Sequence, residues 1–348
     1  MQPITTLDEF FTRSGADVTL YHMGRRVVPC SRDTLRGFEQ AEHAWPEPWL
    51  GQARLGIVFR LGAMPEPAIW FLALPLDEQG MLSPAQRDGF INRLLETLGR
   101  NALASEQTLT ADASVGVDDL MKDNPLAFTP DVTFQAMLNA RATLHLGLPA
   151  SQHLEPVEAY LSGQQSIDWQ ALGVQGLADF AVRMDDDAAR ALAERLSDLP
   201  ASVTRALCYC LEHQPLPGCL LEALQARGEQ AASEGDVETV CACVRAVGSS
   251  PEPTVGDWYT SLLQDSAACG PDLMAAMAGR GWQLLEDETR LPLFLNRLAE
   301  DERADFSAVV RDIALVPRLR LPVMLTLRDA PVGSPMHARL AGLMPRRA

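Results

Sequence analysis

The chain has 348 residues, enough for two domains, and a formal charge of −17, which argues against a globally basic nucleic-acid binder. Aromatic residues are only 6% of it, and Ala and Leu dominate, which favours helix over sheet. The charge is uneven: residues 1–127 are net −6, residues 128–302 net −16 and residues 303–348 net +5.

Thr6 to Ser14 reads as an opening helix, with Thr6 as its cap and Asp8 and Glu9 near the positive end of the dipole. Val18, Leu20 and Tyr21 begin a strand. Met23-Gly24-Arg25 turns the chain, and Val27 and Val28 return in a second strand. Ser31 caps a helix to about Glu42. Trp45-Pro46-Glu47-Pro48-Trp49 cannot be helical through its prolines. Ala53 to Leu61 and Ala68 to Leu76 are the clearest strands. The second is nearly all apolar and is expected to be central, covered on both faces. Ser83-Pro84 opens a helix to about Leu98. Residues 1–100 therefore read as a small α+β domain with an antiparallel sheet of four strands.

Periodicity fades over 101–130, where Leu109, Leu120 and Phe128 are the few apolar anchors, so this stretch reads as a linker. Asp131 to Gly147 and His153 to Gly163 form a helix pair. Beyond it the chain repeats itself. Helix starts fall near Asp168, Ala201, Asp236, Gly270 and Glu302, which are 33, 35, 34 and 32 residues apart. Aligning the helix middles gives the columns Val174/Leu207/Val240/Met274, Leu177/Cys210/Cys243/Met277 and Ala178/Leu211/Val244/Ala278, all apolar or Cys. The column Gln175/Cys208/Cys241/Ala275 is mixed. Second helices put Leu192 and Leu196, then Leu220, Leu221 and Leu224, then Trp258, Leu262 and Leu263 on one face. Ser334 to Met344 ends the row. The fold class is thus an α+β N-terminal domain followed by an all-α solenoid over 131–348, with helix pairs of period about 33 residues.

No apolar leader stands at the start, and the longest apolar run, Ala68 to Leu76, is too short to cross a membrane. Seven Cys, an odd number mostly within helices, point to a reduced, cytoplasmic setting.

The candidate chemistry is sparse. Cys208/Cys210 and Cys241/Cys243 diverge around their helices, residues two apart lying about 200° from each other, so they read as small packing residues rather than zinc ligands. Asp185-Asp186-Asp187 precedes a helix and reads as its cap and first turn rather than as a cation site. The six His are scattered without a ligand spacing. No phosphate loop, dinucleotide fingerprint or nucleophile elbow occurs, so no enzyme, cofactor or metal is expected. Two sets of residues are left as candidate binding groups. Arg25 and Arg26 sit at the hairpin tip with Trp45 and Trp49 nearby, and guanidinium pairs suit carboxylate or phosphate recognition. Arg303, Arg311, Arg318, Arg320 and Arg328 make the chain's end basic and would suit an acidic partner segment.

The helical half resembles HEAT or armadillo-type arrays. Trp169, Leu172 and Gly173 also match the opening of the tetratricopeptide consensus, but Gly176 stands where that consensus has an aromatic, so the HEAT-like likeness is preferred. Separately, Leu7 to Phe11, Met23-Gly24-Arg25-Arg26-Val27 and Trp49-Leu50-Gly51-Gln52 are similar to an uncharacterised bacterial family, a domain of unknown function. That resemblance spans the whole chain and implies no catalytic residues. The expected function is a non-enzymatic adaptor that binds another protein through a helical-repeat surface. The alternative is a sensor of a small-molecule or phosphate ligand through the N-terminal domain. Neither a membrane nor a nucleic acid is expected as partner.

Overall fold

A computed structural model describes residues 4–61, 64, 66–107, 121, 124–163 and 169–343. The chain divides into two units, Met1–Asp131 and Val132–Ala348.

The first unit is built on four antiparallel strands, β1 (Asp17–His22), β2 (Val28–Cys30), β3 (Gln52–Arg60) and β4 (Ala68–Pro75), in the order β2-β1-β3-β4. Leu20 pairs with Cys30 on one side and Ile57 on the other, and Ile57 pairs in turn with Trp70. Helices α1 (Leu7–Ser14), α2 (Arg32–Glu39) and α3 (Pro84–Gln107) accompany the sheet. Thr6 and Ser31 cap α1 and α2, each side-chain oxygen accepting the amide three residues on. Phe11, Phe59 and Phe90 surround Trp70, with ring centroids 4.6–6.0 Å apart.

Two expectations are corrected here. β4 is an edge strand, not a central one. Its free edge is covered by residues 126–128, where the Ala73 amide donates to Leu126 O at 2.7 Å and the Phe128 amide to Phe71 O at 3.2 Å. An edge strand so covered tolerates an apolar run that would otherwise invite pairing with another chain. The expected linker therefore belongs in part to the first unit: 101–107 continue α3, and Leu126 is 1% exposed in the core. Leu109 and Leu120, the repeat start near Asp168 and Met344 lie outside the described residues.

The second unit is a row of helices that follow one another in sequence two by two: α4 (Val132–His145) and α5 (Leu154–Leu161), α6 (Val174–Arg183) and α7 (Asp186–Arg195), α8 (Ala201–Leu211) and α9 (Gly218–Glu234), α10 (Val237–Val247) and α11 (Pro253–Gln264), α12 (Pro271–Arg280) and α13 (Arg290–Glu300), α14 (Phe306–Ala314) and α15 (Pro317–Arg328), then α16 (Pro335–Leu343). Among packed partners are α5 with α6, α9 with α10 and α14 with α15. Each first helix packs on the first helix of the next pair, α4 on α6, α6 on α8, and so on to α14. Asp236 and Asp305 cap α10 and α14. The last start is four residues later than the sequence suggests, because Asp305 rather than Glu302 is the cap. The columns Leu177/Cys210/Cys243/Met277 and Ala178/Leu211/Val244/Ala278 are buried throughout. The mixed column splits, Cys208 buried and Ala275 exposed.

Bonds between pairs recur at nearly constant separation in sequence. Arg183 Nη2 donates to Leu148 O, Arg195 Nη1 to Tyr160 O, Gln214 Nε2 to Ala181 O, the Leu216 amide to Ser250 Oγ and Arg297 Nε to Leu263 O. Every one of these spans 33–35 residues. In four of the five a long polar side chain satisfies a backbone carbonyl of the preceding pair, and in the fifth the Ser250 hydroxyl satisfies the Leu216 amide.

Candidate functional site

The hairpin corner of the first unit does not present its arginines to solvent. Arg25 is 0% exposed; its Nε donates to Pro48 O at 2.8 Å, and its guanidinium lies 5.3 Å from the Trp49 ring centroid. Arg26 is buried as well. Trp45 is 0% exposed, its ring 4.8 Å from His22 and 5.0 Å from Phe38. The Trp45–Trp49 segment thus folds over the corner, and Arg25 fixes the Pro48 turn. Gly24 makes room for this, since a Cβ there would lie 2.9 Å from Trp49 Cβ. The guanidinium pair read as a candidate binding group is thus buried: Arg25 is bonded to Pro48 O and lies against the Trp49 ring instead of facing solvent. Burial pushes the His22 imidazole below its ordinary range, against the pull of Glu47.

In the second unit the charged centre is one that the sequence does not single out. Glu212, 1% exposed at the end of α8, accepts from Arg245 Nε at 2.6 Å, Arg245 Nη2 at 2.9 Å and Arg280 Nε at 2.5 Å. Burial alone would raise its carboxyl; Arg280 and Arg245 outweigh that and hold it at about 2. The Arg280 guanidinium lies over Phe134, whose ring is 4.9 Å from His213. Arg141 Nη2 donates to His213 O. The cluster therefore joins helices of four pairs. A signal for it did exist: Glu212 and Arg245 are 33 residues apart, charged residues at the repeat spacing. Chemically this carboxylate is ionised at neutral pH and held by three bonds from two guanidiniums, suited to holding helices rather than moving protons.

Asp185 Oδ1 accepts the Ala188 amide at 2.8 Å, so the acidic triplet caps α7. Among the described residues no group of three or more His, Cys, Asp or Glu is arranged to hold a metal ion. All seven Cys are free thiols. A hydrogen bond with Cys243, then burial, holds Cys208 protonated, and burial does the same for Cys210. No helix among the described residues is long and apolar enough to cross a membrane.

The basic end is partly matched by its own carboxylates. Arg303 meets Asp301 at 2.7 Å, Arg328 meets Asp329 at 2.8 Å and Arg318 meets Glu286 at 3.4 Å. Arg311 is exposed and Arg320 half-buried. The structure does not gather the five into one cluster; it spreads them over two helices and a turn. It does place Arg318 and Arg328 on one exposed face of α15 with Leu321, Met324 and Leu325, apolar residues the sequence reading passed over.

These features define a protein with a four-stranded antiparallel sheet and its helices, followed by many helices packed in pairs. The chain matches the model of a family described as Protein of unknown function (DUF3549) over residues 2–344, and it belongs to that family. No curated protein and no solved structure matches it.

Proposed function

We propose that the second unit is a HEAT-like helical-repeat array and that the protein is a non-enzymatic scaffold, binding another protein along that array in a reducing, cytoplasmic setting. The observation that carries this is the ladder of bonds 33–35 residues apart, which ties each of the first four pairs to the next. Arrays stabilised by nearest neighbours present long surfaces and suit extended or helical partners. Gly176 supports the HEAT-like form over the tetratricopeptide one. A Cβ at that position would run into the His153 carbonyl oxygen, so no aromatic fits there. The inward-turned Arg25 removes the main support for a ligand sensor in the first unit.

The test is a photo-crosslinking scan of the full chain in the cells that make it. A photo-reactive residue replaces Gln175, Tyr209, Ala275 or Leu321, one at a time. Covalent adducts with a second protein at one or more positions support the scaffold; no protein adduct at any position overturns it.

A further inference from the structure

The helix α15 is apolar on two opposite faces. Leu319 and Val323 are buried, and the helix packs on α14, α13 and the Trp282–Glu286 turn. On the other side Leu321, Met324 and Leu325 are 63%, 55% and 39% exposed. Spacings of three and four put them on one face with Arg318 and Arg328, whose side chains are 82% and 70% exposed. A helix at a protein surface ordinarily carries one apolar stripe, turned to the core, with polar residues opposite. Single exposed apolar residues need no explanation, but a contiguous stripe marks a contact surface. α16 does not cover this one, since Leu321 and Met324 keep their exposure with α16 in place.

Charge decides the occupant. A second copy docked by a two-fold axis would set Arg318 and Arg328 against like groups, which opposes a symmetric dimer. An anionic lipid surface would meet residues 128–302, net −16, in the same unit. A partner helix whose apolar stripe is edged by carboxylates covers the leucines and adds to the exposed, weak ion pairs that Arg318 and Arg328 make with Glu286 and Asp329. The ten residue-to-residue steps from Arg318 to Arg328 cover about 15 Å of helix, so the matching carboxylates sit about three turns apart.

We propose that the outer face of α15, Leu321, Met324 and Leu325 between Arg318 and Arg328, docks an amphipathic, acid-edged helix of a partner protein. The inference rests on the scaffold reading and narrows it to one face.

The experiment places the photo-reactive residue at Leu321 and at Met324 of the full chain, maps the adduct, and titrates the mapped segment as a synthetic peptide. The expected result is one partner segment with an apolar stripe and flanking carboxylates. Its affinity should fall at least tenfold for Arg318→Glu/Arg328→Glu and recover when the peptide carboxylates are changed to lysine. Because both arginines are exposed, the variant's unfolding midpoint should match wild type. An adduct with a second copy, cosedimentation of the chain with phosphatidylserine vesicles that Leu321→Asp abolishes, or a peptide indifferent to the charge reversal would overturn it. Adducts at Tyr209 or Ala275 with none at Leu321 and Met324 would remove this inference and leave the scaffold standing. Adducts at none of these positions would remove both.

Discussion

Arg280 reaches back across 68 residues of sequence to Glu212, its Nε 2.5 Å from Oε1, so α12 is bonded directly to the end of α8, with α10 between them in the row. Arg245 of α10 holds the same carboxylate from its other side. One buried acid therefore serves two guanidiniums from the two following pairs.

Removing that acid leaves Arg280 buried without its counter-charge. Glu212→Gln is expected to destabilise the second unit by about 3–5 kcal/mol, the usual cost of breaking one side of a buried ion pair. Arg245→Ala should cost less, because Arg245 is 30% exposed and Arg280 only 9%. Urea unfolding of the three variants Glu212→Gln, Arg280→Ala and Arg245→Ala measures the order.

The same carboxyl sets an acid limit. Its folded value of about 2 is below the ordinary 4.5, so its stabilisation is complete above 4.5 and is lost as pH falls toward 2. The full effect is about 3 kcal/mol. Unfolding free energy measured from pH 6 to pH 2.5 should drop more in wild type than in Glu212→Gln over that window.

His22 gives a limit at higher pH. Burial lowers its pKa from 6.5, so the unfolded chain binds the proton first and stability is lost as pH falls below 6.5. His22→Phe is expected to flatten the pH dependence of the first unit's unfolding between 6.5 and the lowered value, read by Trp fluorescence.

Gly176 separates propensity from packing. In an isolated helix Gly→Ala is favourable by about 0.5–1 kcal/mol. Here the new Cβ would press on the His153 carbonyl and lie 2.9 Å from Val157 Cγ2, so the sign reverses. Gly176→Ala should destabilise by about 1–3 kcal/mol in thermal unfolding. A stabilised variant would mean that α5 does not close on α6 as described.

The thiols should divide by burial. Cys219 is exposed, whereas Cys30 is buried and its thiol pushed up to about 12. A disulfide reagent at pH 8 should label Cys219 first. Cys30, Cys208 and Cys210 should react slower by roughly three orders of magnitude until denaturant is added. Peptide mapping of the labelled sites reads the order.

The helix ends and the pairing were legible in the residues because their signals are local. Thr6, Ser31, Asp185 and Asp236 each bond an amide three positions on, and the apolar columns follow helix geometry within one turn. The candidate sites were far less legible. A run such as Ala68 to Leu76 is apolar whether its strand is central or is an edge covered by Leu126 to Phe128, and composition does not distinguish the two. Arg25 and Arg26 look like solvated charges until the Trp45–Trp49 segment is folded over them.

By itself, then, the order of residues determined the class of structure: a four-stranded head, then helices in pairs with small residues where axes approach. Tertiary structure alone decided which charges are consumed inside and which face water. Glu212 and Arg280 meet only because three intervening helices bring residues 68 apart into contact, and α15 shows its second apolar face only because of what packs on its first. Burial depends on the sum of all neighbours, most of them distant in sequence, and no local pattern carries that sum.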